Sequence, residues 1–167
     1  AQGQIDNSGF EQWEPVSGSN EEPINWNSFL TASGSFAGVA QNQIEQSMDV
    51  RPGSSGTVSC RIWASSIFGI VANGNLTIGQ INMGSSTASD PANHNITHIT
   101  DNDFSQALTN APDSIVFWAK YTPMIPGKAR MKSVLHDEYD YMDPDAFDPN
   151  APSHVRATAM MNFPETG

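Results

Sequence analysis

The densest concentration of reactive side chains in this sequence is an acidic segment, residues 137–148. Six carboxylates occur within its twelve residues, interleaved with three aromatic side chains. Carboxylates this crowded repel one another unless solvent or a cation relieves them, and Ca²⁺ prefers such oxygen ligands. The spacing lacks the glycine and the terminal glutamate of an EF-hand loop. We therefore expect a solvated loop or a loop that binds Ca²⁺ or another ligand, with three candidate metal ligands: Asp140, Asp143 and Asp145.

A further acid, Glu11, lies in the opening sequence NSGFEQW at residues 7–13. The Asn-Ser-Gly triplet favours a turn, and the Glu11 carboxylate offers an oxygen ligand. The opening resembles that of sugar-binding jelly rolls, in which the equivalent acid binds a structural Ca²⁺ together with backbone carbonyls, and Ca²⁺ takes six to eight such oxygens. The resemblance makes Glu11, with carbonyls near Asn7 and Gly9, a candidate Ca²⁺ ligand, and the alternative is an exposed acid at the entry to a strand.

Aromatic side chains are the second class of candidate ligand-binding residue. The apolar C–H faces of a sugar ring stack on indole or phenol rings, as other apolar groups do. We expect Phe117, Trp118 and Trp13 to belong to the core. The aromatic residues that the pattern places in loops or on polar strand faces are Trp26, Trp63, Tyr139 and Tyr141.

Catalytic motifs are absent from the sequence. It contains no HExxH, GxSxG, GxGxxG or Walker sequence. His94 and His98 would lie about 13 Å apart on a strand, which is too far for one metal ion. Cys60 alternates onto an apolar strand face and is expected to be an inert buried thiol.

Glycoside hydrolysis needs two carboxylates at roughly 5 to 10 Å, and a pair such as Glu138 and Asp143 would supply them.

Composition narrows the classes of partner. Eighteen acidic and seven basic residues in a chain of 167 give a formal charge of −11. Such a chain repels phosphate backbones and anionic lipid, so nucleic acid is excluded as a partner. The single cysteine excludes an intrachain disulfide, and no apolar stretch is long enough for a transmembrane segment. Cations and uncharged polar partners remain, and we expect the partner to be a neutral glycan or another surface protein.

In the segments that must position these residues, apolar side chains recur at every second position, which is the pattern of β-strands. Alternation predicts strands over residues 57–64, 76–83, 114–121, 129–136 and 154–163, with a bend near Gly79. Both faces of 114–121 are apolar, which indicates a central strand. Asn73-Gly74 is the strongest hairpin signal, and residues 36–47 allow a short helix. Three segments, 14–25, 84–103 and 137–153, have the composition of long loops. The pattern predicts one all-β domain over residues 1–167, an antiparallel β-sandwich with little helix.

Four sequence motifs resemble one known family. They are NSGFEQW at 7–13, PINWN at 23–27, LTIG at 76–79 and PDSIVFWAKYTP at 112–123. Their order is similar to that in the carbohydrate metabolism domain family of secreted and surface proteins of Bacteroidetes. The resemblance covers residues 7–163 and implies a galactose-binding-like jelly roll with a role in glycan handling. The closing strand of that family has no counterpart after Phe163, so we expect a sandwich that is cut short or completed by another chain.

Three functions follow as expectations. The first is an extracytoplasmic, non-catalytic carbohydrate-binding module, secreted, periplasmic or on the cell surface. The second is a glycoside hydrolase that uses an acidic pair. The third is a structural or adhesin-type surface domain whose partner is another surface protein.

Overall fold

Short antiparallel pairings dominate the fold. A computed structural model describes residues 5–67, 69–122, 129–145 and 148–163. The predicted all-β class with little helix is confirmed. The strands are β1 (Trp13–Ser17), β2 (Asn20–Pro23), β3 (Ile44–Ser47), β4 (Ser59–Ile62), β5 (Ser65–Ile67), β6 (Ile70–Ala72), β7 (Gln80–Met83), β8 (Asn93–Ile96), β9 (Arg130–His136), β10 (Met142–Asp143) and β11 (Val155–Asn162).

These strands form small sheets. Four have two strands each, namely β1–β2, β3–β4, β5–β6 and β9–β11, and one has three in the order β10–β8–β7. Helical structure in the described part of the chain is limited to α1 (Ala151–His154) and to 3-10 turns at Phe29–Thr31 and Ala37–Val39. The two-layered jelly roll stays a prediction, since these sheets do not by themselves establish it.

The first hairpin corrects one expectation. Residues 14–25 have the composition of a loop, but β1 and β2 pair across them, with Trp13 opposite Pro23 and Pro15 opposite Glu21. Gly18 lies in the connecting turn with φ of +62°, a conformation that glycine adopts without steric cost. The loop prediction failed because the polar outward residues of a two-stranded ribbon look like loop composition.

Buried polar side chains hold the strands together. Glu22, Asn27, Ser28 and Gln43 are all at most 6 % exposed, as are Ile44 and Ile81. Their polar atoms are hydrogen-bonded, as burial requires. Gln43 Nε2 donates to the carbonyls of Trp63 and Ala72, at 3.1 and 2.8 Å. Asn27 Nδ2 donates to Ile78 and Asp103 carbonyls. The Gln43 amide thereby ties the β3–β4 pair to Ala72 of β6, and the Asn27 amide ties its own segment to the carbonyls of Ile78 and Asp103.

Most predicted strands are present. β4 lies within 57–64, and β9 and β11 match 129–136 and 154–163. The bend at Gly79 is confirmed, since β7 begins at Gln80 and Thr77 pairs separately with Asn27. Tight packing explains the glycine, because a Cβ at Gly79 would lie 2.5 Å from the Ile96 carbonyl oxygen.

Five local predictions are wrong. Residues 114–121 form no strand, and Val116 and Trp118 are 78 % and 70 % exposed rather than central. Asn73-Gly74 makes no hairpin, because the chain reverses earlier, between β5 and β6, where Gly69 has φ of +80°. Residues 36–47 form a 3-10 turn and then β3, and the segment 84–103 contains β8. Residues 137–153 likewise contain β10 and the start of α1.

No helix in the described part of the chain is long and apolar enough to cross a membrane. The expectation of no transmembrane segment agrees with this finding.

Candidate functional site

A polar groove lies between the first hairpin and β3. Its volume is about 200 Å³, and it combines one indole ring with amide, hydroxyl and carboxylate groups. Ile44 is fully buried and forms its apolar floor. The side chains that line the groove are Trp13, Ser19, Glu21, Asn42, Ile44, Glu45 and Gln46.

Alternation along the strands presents these groups to the groove. In β2, Glu22 is buried while its neighbour Glu21 is exposed, because successive side chains of a strand point to opposite faces. The Glu22 carboxylate accepts hydrogen bonds from the Ser28 amide at 2.7 Å, from the Ser28 hydroxyl and from the Thr31 hydroxyl. This buried anchor fixes β2 and therefore the position of Glu21.

Trp13 is held as a rigid wall of the groove. Its Nε1 donates to the Phe10 carbonyl at 2.7 Å, which fixes the indole plane while the ring stays half-buried. Trp26 packs edge-on against Phe10, with ring centroids 5.2 Å apart, and donates from Nε1 to the Asp6 carbonyl. Trp26, a predicted ligand-binding residue, thus supports the far side of Phe10 and does not line the groove.

The polar groups of the groove keep unused hydrogen-bonding capacity. Gln46 Nε2 donates to Glu21 Oε2 at 3.3 Å, and Glu45 Oε1 pairs with Arg61 at 2.6 Å. The second carboxylate oxygens of Glu21 and Glu45 and the side-chain amide oxygen of Gln46 accept no hydrogen bond from any residue that the structure describes. The groove therefore offers hydrogen-bond acceptors beside an aromatic ring.

Trp63, the second predicted ligand-binding residue, adjoins the groove. The Arg61 guanidinium that pairs with Glu45 lies 5.6 Å from the Trp63 ring centroid. Trp63 N–H donates to the Gln43 carbonyl, so Trp63 is fixed to the start of β3. Trp63 is therefore connected to the groove through Arg61 and does not itself line it.

Tyr139 belongs to a separate cluster at the junction of β9, α1 and β11. Its ring stacks on His154 at 3.9 Å, and its hydroxyl donates to Asp148. His154 Nδ1 contacts Asp137 at 2.7 Å, and Arg156 pairs with the other oxygen of that carboxylate. The hydrogen bond from His154 lowers the pKa of Asp137, and the Tyr139 hydroxyl lowers that of Asp148.

Tyr141 lies in a buried setting. It is 6 % exposed and stacks on His136 with centroids 5.5 Å apart. Burial raises the pKa of the Tyr141 phenol. Within the described residues, no ring contact joins Trp26 or Trp63 to either tyrosine. Tyr139 and Tyr141 thus stack on different histidines, while Trp26 contacts Phe10 and Trp63 contacts Arg61.

The predicted metal ligands make hydrogen bonds or ion pairs with protein groups or lie near them. Asp143 pairs with Lys132. Asp145 lies near that pair, and its negative charge adds to the effect of burial in raising the pKa of Tyr141. Asp140 accepts from the Ile99 amide at 2.8 Å. Glu11 accepts from the Thr57 hydroxyl and amide and from the Val58 amide, and the Thr57 hydroxyl contributes most to lowering its pKa.

Across the four described ranges, no group of three or more His, Cys, Asp or Glu side chains is arranged to hold a metal ion. A structural Ca²⁺ at Glu11, Asp140, Asp143 or Asp145 stays a prediction. The two acids of the hydrolase hypothesis differ in setting, since Asp143 is paired with Lys132 and Glu138 is exposed.

Burial raises the pKa of Cys60 to about 12, as expected of an inert thiol.

The groove residues escaped the sequence analysis for a definable reason. Trp13 was expected in the core, and Glu21, Asn42, Glu45 and Gln46 carry no motif. The available signal was the pattern of residues 42–46, in which a single buried Ile44 stands among amides and carboxylates near a tryptophan-containing hairpin. A pattern of this kind does not specify which strands lie side by side.

No family model, curated protein or solved structure matches this chain. The resemblance to the carbohydrate metabolism domain family therefore rests on the four quoted motifs alone.

Proposed function

We propose that this protein is an extracytoplasmic, non-catalytic carbohydrate-binding module and that the polar groove binds an uncharged glycan. The observation that carries the proposal is the composition of the groove: a fixed indole face beside carboxylate and amide acceptors over an apolar floor. Sugar hydroxyls donate to such acceptors, and the sugar C–H face packs on the indole.

Charge favours a neutral ligand. Glu21 carries no ion pair with any described residue, and only Glu45 is paired, to Arg61. The groove is thus net negative, and the whole chain carries −11. A uronate or sulfated sugar would be repelled, while a neutral sugar pays no such cost.

The experiment is a calorimetric titration with neutral oligosaccharides selected on a glycan array. Gln46→Ala removes one hydrogen-bonding group from an exposed position. It should weaken binding about fivefold, which corresponds to the net free energy of one hydrogen bond. Trp13→Ala should abolish detectable binding, provided that circular dichroism shows an unchanged fold. Trp118→Ala is the matched control, because it removes an exposed indole outside the groove and should leave affinity unchanged.

Two results would overturn the proposal. One is the absence of binding to every neutral glycan on the array. The other is binding that Trp118→Ala abolishes and Gln46→Ala leaves intact, which would place the site elsewhere.

A second candidate, the structural or adhesin-type domain, is favoured by one observation. Ile115, Val116 and Trp118 expose apolar side chains to an extent that a glycan-binding role does not require.

A further inference from the structure

One carboxylate of the polar groove is held from outside the groove. Glu45 of β3 lies directly opposite Arg61 of β4, and Arg61 Nη1 donates to Glu45 Oε1 at 2.6 Å. Glu45 lines the groove, whereas Arg61 is not among the residues that line it. A residue behind the groove therefore pairs with a carboxylate that a bound sugar would meet.

Arg61 is itself restrained by Trp63. Its guanidinium lies 5.6 Å from the centroid of the Trp63 ring, within the range of a cation–π contact. The main-chain N–H of Trp63 donates to the Gln43 carbonyl, and the buried side-chain amide of Gln43 donates to the Trp63 carbonyl. Contacts thus run from a buried amide through the Trp63 ring to Arg61, and from Arg61 to Glu45.

The pair between Arg61 and Glu45 matters more for the groove than for folding. The two side chains are 64 % and 47 % exposed, and exposed ion pairs stabilise a fold only weakly. One oxygen of Glu45 is engaged and its charge is compensated, while the other oxygen accepts no hydrogen bond from any described residue. The free oxygen suits a sugar hydroxyl. The compensated charge weakens the attraction that a bare carboxylate exerts on an ammonium group.

We propose that Arg61 is a specificity-determining residue of the polar groove: by pairing with Glu45, it favours sugars that present hydroxyls over sugars that carry a protonated amine. This inference rests on the proposed function and deepens it, because it names the class of sugar that the groove disfavours. Arg61 acts through Glu45 and is therefore a positioning residue. Glu21 has no ion pair with a described residue and still attracts an amine, so Arg61 sets the degree of the preference.

The experiment compares matched pairs of sugars. Tetrasaccharides of glucose, galactose and mannose are each paired with the tetrasaccharide of the corresponding 2-amino-2-deoxy sugar in the same linkage, at a pH at which the amines are protonated. Calorimetric titration of the whole chain gives the ratio of the two affinities for each pair that binds. Arg61→Gln leaves Glu45 charged and unpaired, so the ratio should shift about fivefold towards the amino sugar. At about 1 M salt the shift should shrink, because the charges are then screened.

Two further variants separate the charge of Glu45 from other effects. Arg156→Gln makes the same change of residue and of net charge at an arginine that is 62 % exposed and pairs with Asp137 outside the groove, so it should leave the ratio unchanged. Glu45→Gln with Arg61→Gln removes both charges of the pair and should restore the parental ratio. Circular dichroism checks that each variant keeps the parental fold.

Four results would overturn this inference. One is an unchanged ratio in Arg61→Gln, which leaves the proposed function intact as long as neutral sugars still bind. Another is an equal shift in Arg156→Gln, which would assign the effect to the total charge of the chain. A third is a shift that persists when Glu45→Gln is added to Arg61→Gln. The last is the absence of binding to all three pairs, in which case the remaining glycans of the array decide the proposed function.

Discussion

Glu22 is the residue on which the polar groove most depends. Its carboxylate is 2 % exposed and accepts hydrogen bonds from the Ser28 amide, the Ser28 hydroxyl and the Thr31 hydroxyl. Burial raises its pKa, and the Ser28 hydrogen bonds only partly oppose that effect. A buried acid that serves as an acceptor for three donors is structural, and it fixes the strand that presents Glu21.

Two substitutions of Glu22 should distinguish how much its hydrogen bonds and how much its charge contribute to the free energy of unfolding. Glu22→Ala leaves the Ser28 donors unpaired in the interior and should lower the free energy of unfolding by about 3 kcal/mol. Glu22→Gln keeps an acceptor oxygen without a buried charge, so we expect it to stay within about 1 kcal/mol of the parent at neutral pH. Urea unfolding of both variants measures the difference, and equal destabilisation by the two would contradict this role.

The pH dependence of Glu22 has a definite sign. Because its pKa is higher in the folded than in the unfolded chain, its protonated form favours folding. Its contribution to stability is full below the unfolded pKa, about 4.3, and falls as the pH rises through the folded pKa. The stability of Glu22→Gln relative to the parent should therefore increase as the pH rises from about 4 to about 7. A difference that stays constant with pH would contradict the raised pKa.

Among the elements, the bend before β7 is the most constrained. A Cβ at Gly79 would lie 2.5 Å from the Ile96 carbonyl oxygen, which is backbone and cannot turn aside. Gly79→Ala should lower the free energy of unfolding by about 2 kcal/mol, as overpacking does. Gly38→Ala is the matched control: its Cβ would meet nothing within 4 Å, and its effect should be below about 1 kcal/mol in either direction. Thermal unfolding compares the two, and a larger loss at Gly38 would contradict the packing argument.

The elements also show what the sequence can and cannot predict. β9 and β11 were predictable because their apolar and polar residues alternate over a long stretch and because the two strands pair with each other. Residues 114–121 have an equally strong pattern and yet form no strand, since side-chain pattern reports β preference and not whether a neighbouring strand is present. The first hairpin was missed for the opposite reason, because both its strands expose polar residues.

The same limit applies to the candidate site. Trp63 was predicted from its strand face, and in the structure its ring lies 5.6 Å from the Arg61 guanidinium that pairs with Glu45 of the groove. Trp13, Glu21 and Gln46 come from β1, β2 and β3, and only the packing of β3 against the first hairpin brings them together. Sequence spacing carries no information on that contact.

At the scale of the whole molecule, charge governs the acid limit of stability. Asp137 and Asp148 have lowered pKa values, caused chiefly by His154 and by the Tyr139 hydroxyl. Such groups stabilise the fold above the unfolded pKa, near 3.9, and that contribution is lost as the pH falls through the folded pKa. The contribution of Glu22 changes only above its unfolded pKa, so below about pH 4 Glu22 does not offset the loss of stability from Asp137 and Asp148.

The variant Asp137→Asn with Asp148→Asn tests this balance. We expect it to be less stable than the parent at neutral pH and to approach the parent as the pH falls to about 2, because the protonated carboxylates no longer favour the fold. Guanidinium unfolding at several pH values provides the measurement. A deficit that persists undiminished at the acid end would show that these two acids do not set the acid limit.

The claim that the polar groove binds an uncharged sugar is tested most directly by nuclear magnetic resonance. A neutral oligosaccharide added to ¹⁵N-labelled protein should shift the indole N–H of Trp13 and the side-chain amides of Asn42 and Gln46, with small changes at Trp118. Shifts concentrated at Trp118 or around Tyr139, or the absence of shifts with every neutral sugar tried, would contradict the account.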